Sequence, residues 1–216
     1  MSIAFGAQVQ TSVAGGTATA TTGTITVTGS NTIGFVLIEN QNVSGISSVT
    51  WNGVACTLID SQQDPNVTIG YIYAILNPGT GVIAVTRSAT TFNMAVFAPY
   101  YTGASQTLTM DATTKGSGAA ASLTGTLTTI ANNAWQVLVA YMDNGSIAAS
   151  TGSTIRGTAL VTNNMAMFDS NSPQTPAGSK SMSVTGGGGS NFNYVMVSFA
   201  PAPAASTSNS AFFAFM

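Results

Sequence analysis

The chain has 216 residues with four Lys+Arg, six Asp+Glu, no histidine and one cysteine, Cys56, so 5 % of it is charged, against roughly 25 % in soluble domains. That inventory excludes imidazole-based nucleophiles and metal sites, an intrachain disulfide, a thiolate zinc cage and the basic patch that nucleic-acid binding needs. It also excludes disorder, because 44 % of the residues are hydrophobic and the net charge is only −2.

In chain order, residues 1–21 are rich in small side chains and read as an N-terminal arm or first strand. Short β-branched or aromatic runs follow: Thr24–Thr28, Ile33–Glu39, Val54–Asp60, Val67–Leu76, Val82–Thr86 and Phe92–Tyr100. The second half supplies Ser122–Thr128, Ala134–Met142, Ala159–Thr162, Met165–Asp169, Ser181–Thr185 and Tyr194–Ala200. Between them, Asn52-Gly53 marks a hairpin turn. Asn77-Pro78-Gly79-Thr80-Gly81 marks another, with proline presetting φ and glycine accepting φ > 0. Gly186–Gly189 reads as a loop. No helical period of apolar residues is found, so the chain is all-β.

Thr22-Gly23-Thr24-Ile25-Thr26 recurs as Thr124-Gly125-Thr126-Leu127-Thr128, an offset of about 102 residues. At that offset Ile33–Ile38 falls on Trp135–Ala140, and Met94-Ala95-Val96-Phe97-Ala98-Pro99 on Met196-Val197-Ser198-Phe199-Ala200-Pro201. The reading is an internal duplication. Residues 22–201 form a jelly-roll-like β-sandwich of two pseudo-repeats, 22–101 and 124–201. Two tandem small β-sandwiches are the alternative. Continuous apolar runs such as Ile33–Ile38 and Trp135–Ala140 belong to central strands, covered on both faces.

Residues 202–216 are a small-residue linker followed by Ala211-Phe212-Phe213-Ala214-Phe215-Met216. Exposed phenylalanines are an aggregation hazard. Phe212, Phe213, Phe215 and Met216 are therefore read as an assembly arm or as a last edge strand on their own core.

Chemistry has few places to reside. Glu39, Asp60, Asp64, Asp111, Asp143 and Asp169 are the carboxylates, and no spacing marks two of them as a glycosidase pair. Asp60–Asp64 and Asp143-Asn144-Gly145 are weak calcium candidates. Cys56 has no basic neighbour in sequence and reads as a small hydrophobe. No catalytic residue, metal or cofactor is assigned. Exposed aromatics stacking on sugars are the remaining option, with Trp51, Tyr100 and Tyr101 as the candidate glycan contacts.

The run Ile46-Ser47-Ser48-Val49-Thr50-Trp51-Asn52-Gly53-Val54-Ala55-Cys56-Thr57-Leu58-Ile59 resembles a pattern of phage and environmental β-sandwich proteins. Its form is roughly V-S-S-V-T-[aromatic]-x-G-V-x-x-T-L-V. Tyr71–Leu76, Asn77-Pro78, Val82–Thr86 and Phe97-Ala98-Pro99 continue it in the same order. The resemblance implies a virion exterior component: a capsid decoration or cement protein, a head fibre or a tail adsorption module. The first basic residue is Arg87, so the N-terminus lacks the positive region of a secretory signal, and no apolar run is long enough for a membrane span. An external type of composition without an export signal fits release by lysis, as virus particles are released, or cleavage from a precursor. The expected partners are further copies of the chain (a homo-oligomer, trimer included), a major capsid or other virion protein, and, on the adsorption reading, host-surface glycans. Neither nucleic acid nor membrane insertion is expected.

Overall fold

The structure is a computed structural model that describes residues 2–41, 45–66, 68–90, 92–143, 145–159 and 164–204; of residues 187–190 it describes the backbone. All its regular secondary structure is β. The first repeat carries β1 (Ala4–Val13), β2 (Thr19–Thr21), β3 (Ile33–Asn40), β4 (Ile46–Trp51), β5 (Val54–Ala55), β6 (Thr57–Gln63), β7 (Ile69–Leu76), β8 (Ile83–Arg87) and β9 (Met94–Thr102). The second carries β10 (Ala112–Thr129), β11 (Trp135–Met142), β12 (Ala148–Ala149), β13 (Thr154–Thr158), β14 (Met165–Asp169) and β15 (Gly178–Phe199).

Two five-strand arrangements share one topology. The first runs β1-β9-β3-β7-β6 and the second β10-β15-β11-β14-β13, antiparallel throughout. In each, the first strand pairs with the last, and the last with the strand of the continuous apolar run, β3 in the first and β11 in the second. The first repeat adds a small sheet, β2-β8-β4-β5. The second repeat builds the equivalent from the far halves of its long strands. Ser122–Thr129 of β10 pair with residues 178–185 of β15, and β12 adds to the other side of β15. The two halves of the chain thus share a strand order, although β1 and β2 precede the expected repeat 22–101 and β10 begins before residue 124. The registers are less uniform. Phe97 lies opposite Leu37 and Val195 opposite Val139, so if β3 and β11 match at 102 residues, β9 and β15 match at 98. The slip is even, so each side chain keeps its face of the pleat.

The molecule is a four-layer stack with three apolar fillings. Ile33, Phe35 and Leu37 of β3, with Trp135, Val137 and Val139 of β11, fill the layer between the two five-strand sheets. The alternate residues turn outward to the flanking fillings: Val36 and Ile38 with Trp51, Ile83 and Val85, and Leu138 and Ala140 with Phe168, Met182 and Val184. Strands with both faces buried have no solvent side to make polar, and this is the cause of their continuous apolar runs. Rings reinforce the middle layer. Tyr101 lies 5.6 Å from Trp135, 5.1 Å from Phe199 and 5.6 Å from Phe5, centroid to centroid. Facing sheets run in opposite strand order, so β1 meets β13 and β6 meets β10. Gln10 Nε2 donates to the Thr158 carbonyl (3.0 Å), and Arg156 sits over the Phe5 ring at 4.2 Å. On the far side Lys115 Nζ reaches Asp60 Oδ1 (2.6 Å), and Gln62 Nε2 donates to Ser117 Oγ (3.1 Å).

Local chemistry explains the turns. Asn52 (φ 48°) and Gly53 (φ 78°) take the left-handed pair of angles that a two-residue hairpin loop between β4 and β5 requires. In the next turn the left-handed residue is Asn77 (φ 47°), not Gly79, and the Gly79 carbonyl instead accepts the Trp51 indole N–H (2.7 Å). Two expectations, for residues 24–28 and for Gly186–Gly189, are corrected. Residues 24–28 make only an isolated bridge, Ile25 to Gly81, because β2 has already taken the place beside β8. Residues 4–13 form a full strand against β9, the first-strand alternative for residues 1–21. Gly186–Gly189 is not a loop between strands but a wide bulge inside β15, four residues opposite Ala121 alone. A Cβ on Gly186 would lie 2.6 Å from the Met142 sulfur, which explains glycine at that point. Of the predicted strand Ala159–Thr162, residues 160–162 lie outside the described residues.

A shared middle layer makes the two repeats one cooperative unit. Leu37→Ala should lower the unfolding free energy by about 2–5 kcal/mol. In variants retaining only Trp51 or only Trp135, one reporter per repeat, the fluorescence midpoint should coincide with the far-UV circular dichroism midpoint of the same variant. Separate midpoints would mean two independent sandwiches.

Candidate functional site

The three aromatic residues expected to face sugars are core residues. Trp51 is 0 % exposed, and its indole N–H is used on Gly79. Tyr100 and Tyr101 lie on β9, a strand covered on both faces, so neither alternation of the pleat brings a ring to solvent. The Tyr100 hydroxyl accepts the Thr28 N–H (3.3 Å), and the Tyr101 hydroxyl donates to Asp169 Oδ2 (3.1 Å). The exposed platform expected at these positions is thus corrected: no sugar can stack there. The proposed arm, Phe212, Phe213, Phe215 and Met216, lies outside the described residues.

The carboxylates are mostly structural. Asp60 pairs with Lys115, and Asp111 accepts the N–H groups of Ile130 and Ala131 and the Ser198 hydroxyl. Asp169 receives Tyr101, Arg156 Nε (2.9 Å) and the Asn171 N–H. Asp64 Oδ1 accepts the N–H groups of Asn66 (3.0 Å) and Thr68 (2.8 Å), closing a tight turn before β7. Among the described residues no three acidic or thiol side chains converge as metal ligands. The Cys56 thiol is pushed up to about 12 by burial, so it stays protonated and unreactive.

Two features remain open to other molecules. The first is an edge. β10 pairs with β15 along one side only and ends its sheet order, so along its 18 residues the N–H and C=O groups of alternate residues face the open side. Its one charge, Lys115, is engaged by Asp60 across the seam. Exposed edges are normally guarded by free lysines or prolines; β10 instead shows Thr, Ser, Gly and Ala.

The second is a cleft of about 200 Å3 where one end of the middle layer opens between the repeats. Gln41, Asn66, Thr68 and Phe92 line it from the first repeat, Tyr141 and Asp143 from the second. The Asp64 turn sets Asn66 and Thr68, and Gln41 N–H is held by the Asn93 carbonyl (3.0 Å). Arg87 Nη1 donates to the Phe92 carbonyl (2.6 Å), fixing the backbone while leaving the ring 49 % exposed. Tyr141 donates to Asp143 Oδ1 (2.8 Å); burial first, then this bond, raises the phenol's pKa above the usual tyrosine range. Behind the cleft wall Glu39 is wholly buried, and Asn193 faces it from the other sheet while donating to the Thr68 carbonyl (3.0 Å). Both Glu39 carboxyl oxygens and Asn193 Oδ1 lack a donor. Burial, with the Asp64 charge adding to it, holds the Glu39 carboxyl well above the usual range, so its own proton can serve one of these acceptors.

The sequence reading missed this cleft. A signal was present: at the repeat offset Glu39 falls on Tyr141 and Gln41 on Asp143, so both repeats turn polar at the same point after their apolar run. Comparison with protein-family models, with curated proteins and with solved structures gives no match. No helix among the described residues is long and apolar enough to cross a membrane.

The buried Glu39 gives stability a pH dependence of known sign. Its raised pKa means the neutral form fits the fold, so its contribution is complete below 4.5 and is lost as pH rises through the folded-state value. Wild-type melting temperature should therefore fall on this account as pH rises from the carboxylate range. Glu39→Gln, which stays neutral, should lose that slope and melt higher at alkaline pH, by about 2–4 °C per kcal/mol recovered. Parallel pH profiles for the two proteins would show that Glu39 is ionised in the fold.

Proposed function

We propose that the chain is a non-enzymatic structural protein of a virion exterior, a phage capsid decoration or head-surface protein that assembles through backbone and apolar contacts. The observation that carries this reading is the open edge of β10, eighteen residues long and without a free charge. Strand addition at such an edge supplies directed hydrogen bonds without needing complementary charge, which suits a chain with so few ionic groups. The segment 205–216 of a neighbouring copy is the proposed occupant. It follows the body at Ala202, whose N–H donates to Gly103 (2.8 Å), and at its full extension of about 40 Å it can span the Ala112–Ala120 half of β10. Phe212, Phe213, Phe215 and Met216 would anchor it. The alternative, an adsorption module that stacks glycans on Trp51, Tyr100 and Tyr101, loses its support with the burial of those rings.

Because apolar and backbone contacts are not screened by salt, the purified protein should sediment as the same oligomer in dilute and in molar NaCl. Removing residues 205–216, or placing lysines on the exposed positions Thr113 and Ala119 of β10, should shift it to monomer in analytical ultracentrifugation. A wild-type monomer at all concentrations would overturn the assembly reading. Absence of the chain from mass spectra of purified particles would overturn the virion assignment.

A further inference from the structure

Among the described residues, the cleft between the repeats has a lining chemically unlike the apolar layers it adjoins. Ile33/Trp135, Phe35/Val137 and Leu37/Val139 are apolar at equivalent positions of the two repeats, and all six fill the middle layer. At Glu39/Tyr141 and Gln41/Asp143 the pattern changes on both sides at once. Burying polar groups at the end of an apolar layer is unfavourable unless they are matched, and packing alone does not call for them. The groups are also held in place: Thr68 by the Asp64 turn and Asn193, Tyr141 by Asp143, and Phe92 by Arg87 at its carbonyl.

We propose that this cleft binds a single neutral pyranose unit of a glycan. The features of the lining select that ligand class. The Phe92 ring, about half exposed, offers an apolar face to the C–H side of a sugar ring. Gln41 and Asn66 each supply donors and an acceptor on a planar amide, the match for hydroxyls that both donate and accept. Asp143 uses Oδ1 on Tyr141, which leaves Oδ2 to accept from a hydroxyl. Among the described residues of the lining there is no lysine or arginine, so an anionic ligand finds no counter-charge there. Asp143 is the one carboxylate among the described residues of the lining, and Glu39 is buried behind the wall, so a cation finds one carboxylate rather than several. The volume, about 200 Å3, is below the roughly 300–1,000 Å3 of drug-sized sites, which limits the occupant to one ring with the rest of the glycan outside. The proposal does not rest on the assembly role: both repeats of one chain complete the cleft.

The test uses the full chain against free neutral monosaccharides and their methyl glycosides, read by saturation-transfer NMR and by isothermal titration. At least one sugar should bind, and Phe92→Ala and Asp143→Asn should each weaken it by about tenfold or more, the equivalent of about 1.4 kcal/mol. Both side chains are exposed, so unchanged circular dichroism and melting temperature should accompany the loss. No binding by any neutral sugar, binding that both variants retain, or preference for a charged ligand in the same titration would each overturn the proposal. None of these results would bear on the β10 edge, whose readout is the oligomeric state.

Discussion

Everything in this molecule is arranged around the apolar layer that separates the two five-strand sheets. Leu37, Phe97, Val137, Val139 and Val195 meet there from opposite repeats, with a cluster of rings at Tyr101, Trp135 and Phe199. Because that layer consumes one face of each central strand, the other face needs a cover of its own. The small sheet β2-β8-β4-β5 provides it in the first repeat, and the far halves of β10 and β15 in the second. The four-layer stack follows from a simple requirement: a strand apolar on both sides must be enclosed on both sides.

The same requirement explains the sparse charge. Most ionisable groups are tied to single structural tasks at the margins of the layer: Asp169 and Arg156 at one edge, Lys115 and Asp60 at the other, Arg87 holding the carbonyls of Ala14, Thr17 and Phe92. What faces solvent is largely hydroxyl and amide. An exterior of that kind neither repels copies of itself nor attracts charged partners, so among the described residues the open edge of β10 and the polar cleft stand out from it.

Much of the architecture was legible in the sequence. Ile33–Glu39 and Ala134–Met142 announce central strands through continuous apolar runs, and Asn52-Gly53 announces its hairpin through backbone angles that few residue pairs tolerate. The repeat shows because duplicated strands keep the same pleat. What was not legible depends on neighbours far along the chain. Residues 112–121 of β10 have no β-branched run of their own and are strand because β15 pairs with them. Trp51 sits beside a turn, a place where aromatic side chains are often exposed, yet its indole finds a carbonyl 28 residues away and turns inward. The cleft draws six side chains from separate segments of both repeats, and only their equivalence across the repeat hints that they belong together.

The pairing of first strand with last has a consequence for time rather than for shape. β1 meets β9 across the whole first repeat, and β10 meets β15 across the whole second, so neither sheet can close by zipping adjacent hairpins. Each repeat must bring its ends together before the central strands gain their neighbours, and loop-closure entropy is spent before contact energy is recovered. Chains of such high contact order fold slowly, and contacts made only after the barrier slow unfolding in turn. Once closed, the body is held by its barrier as well as by its free-energy difference.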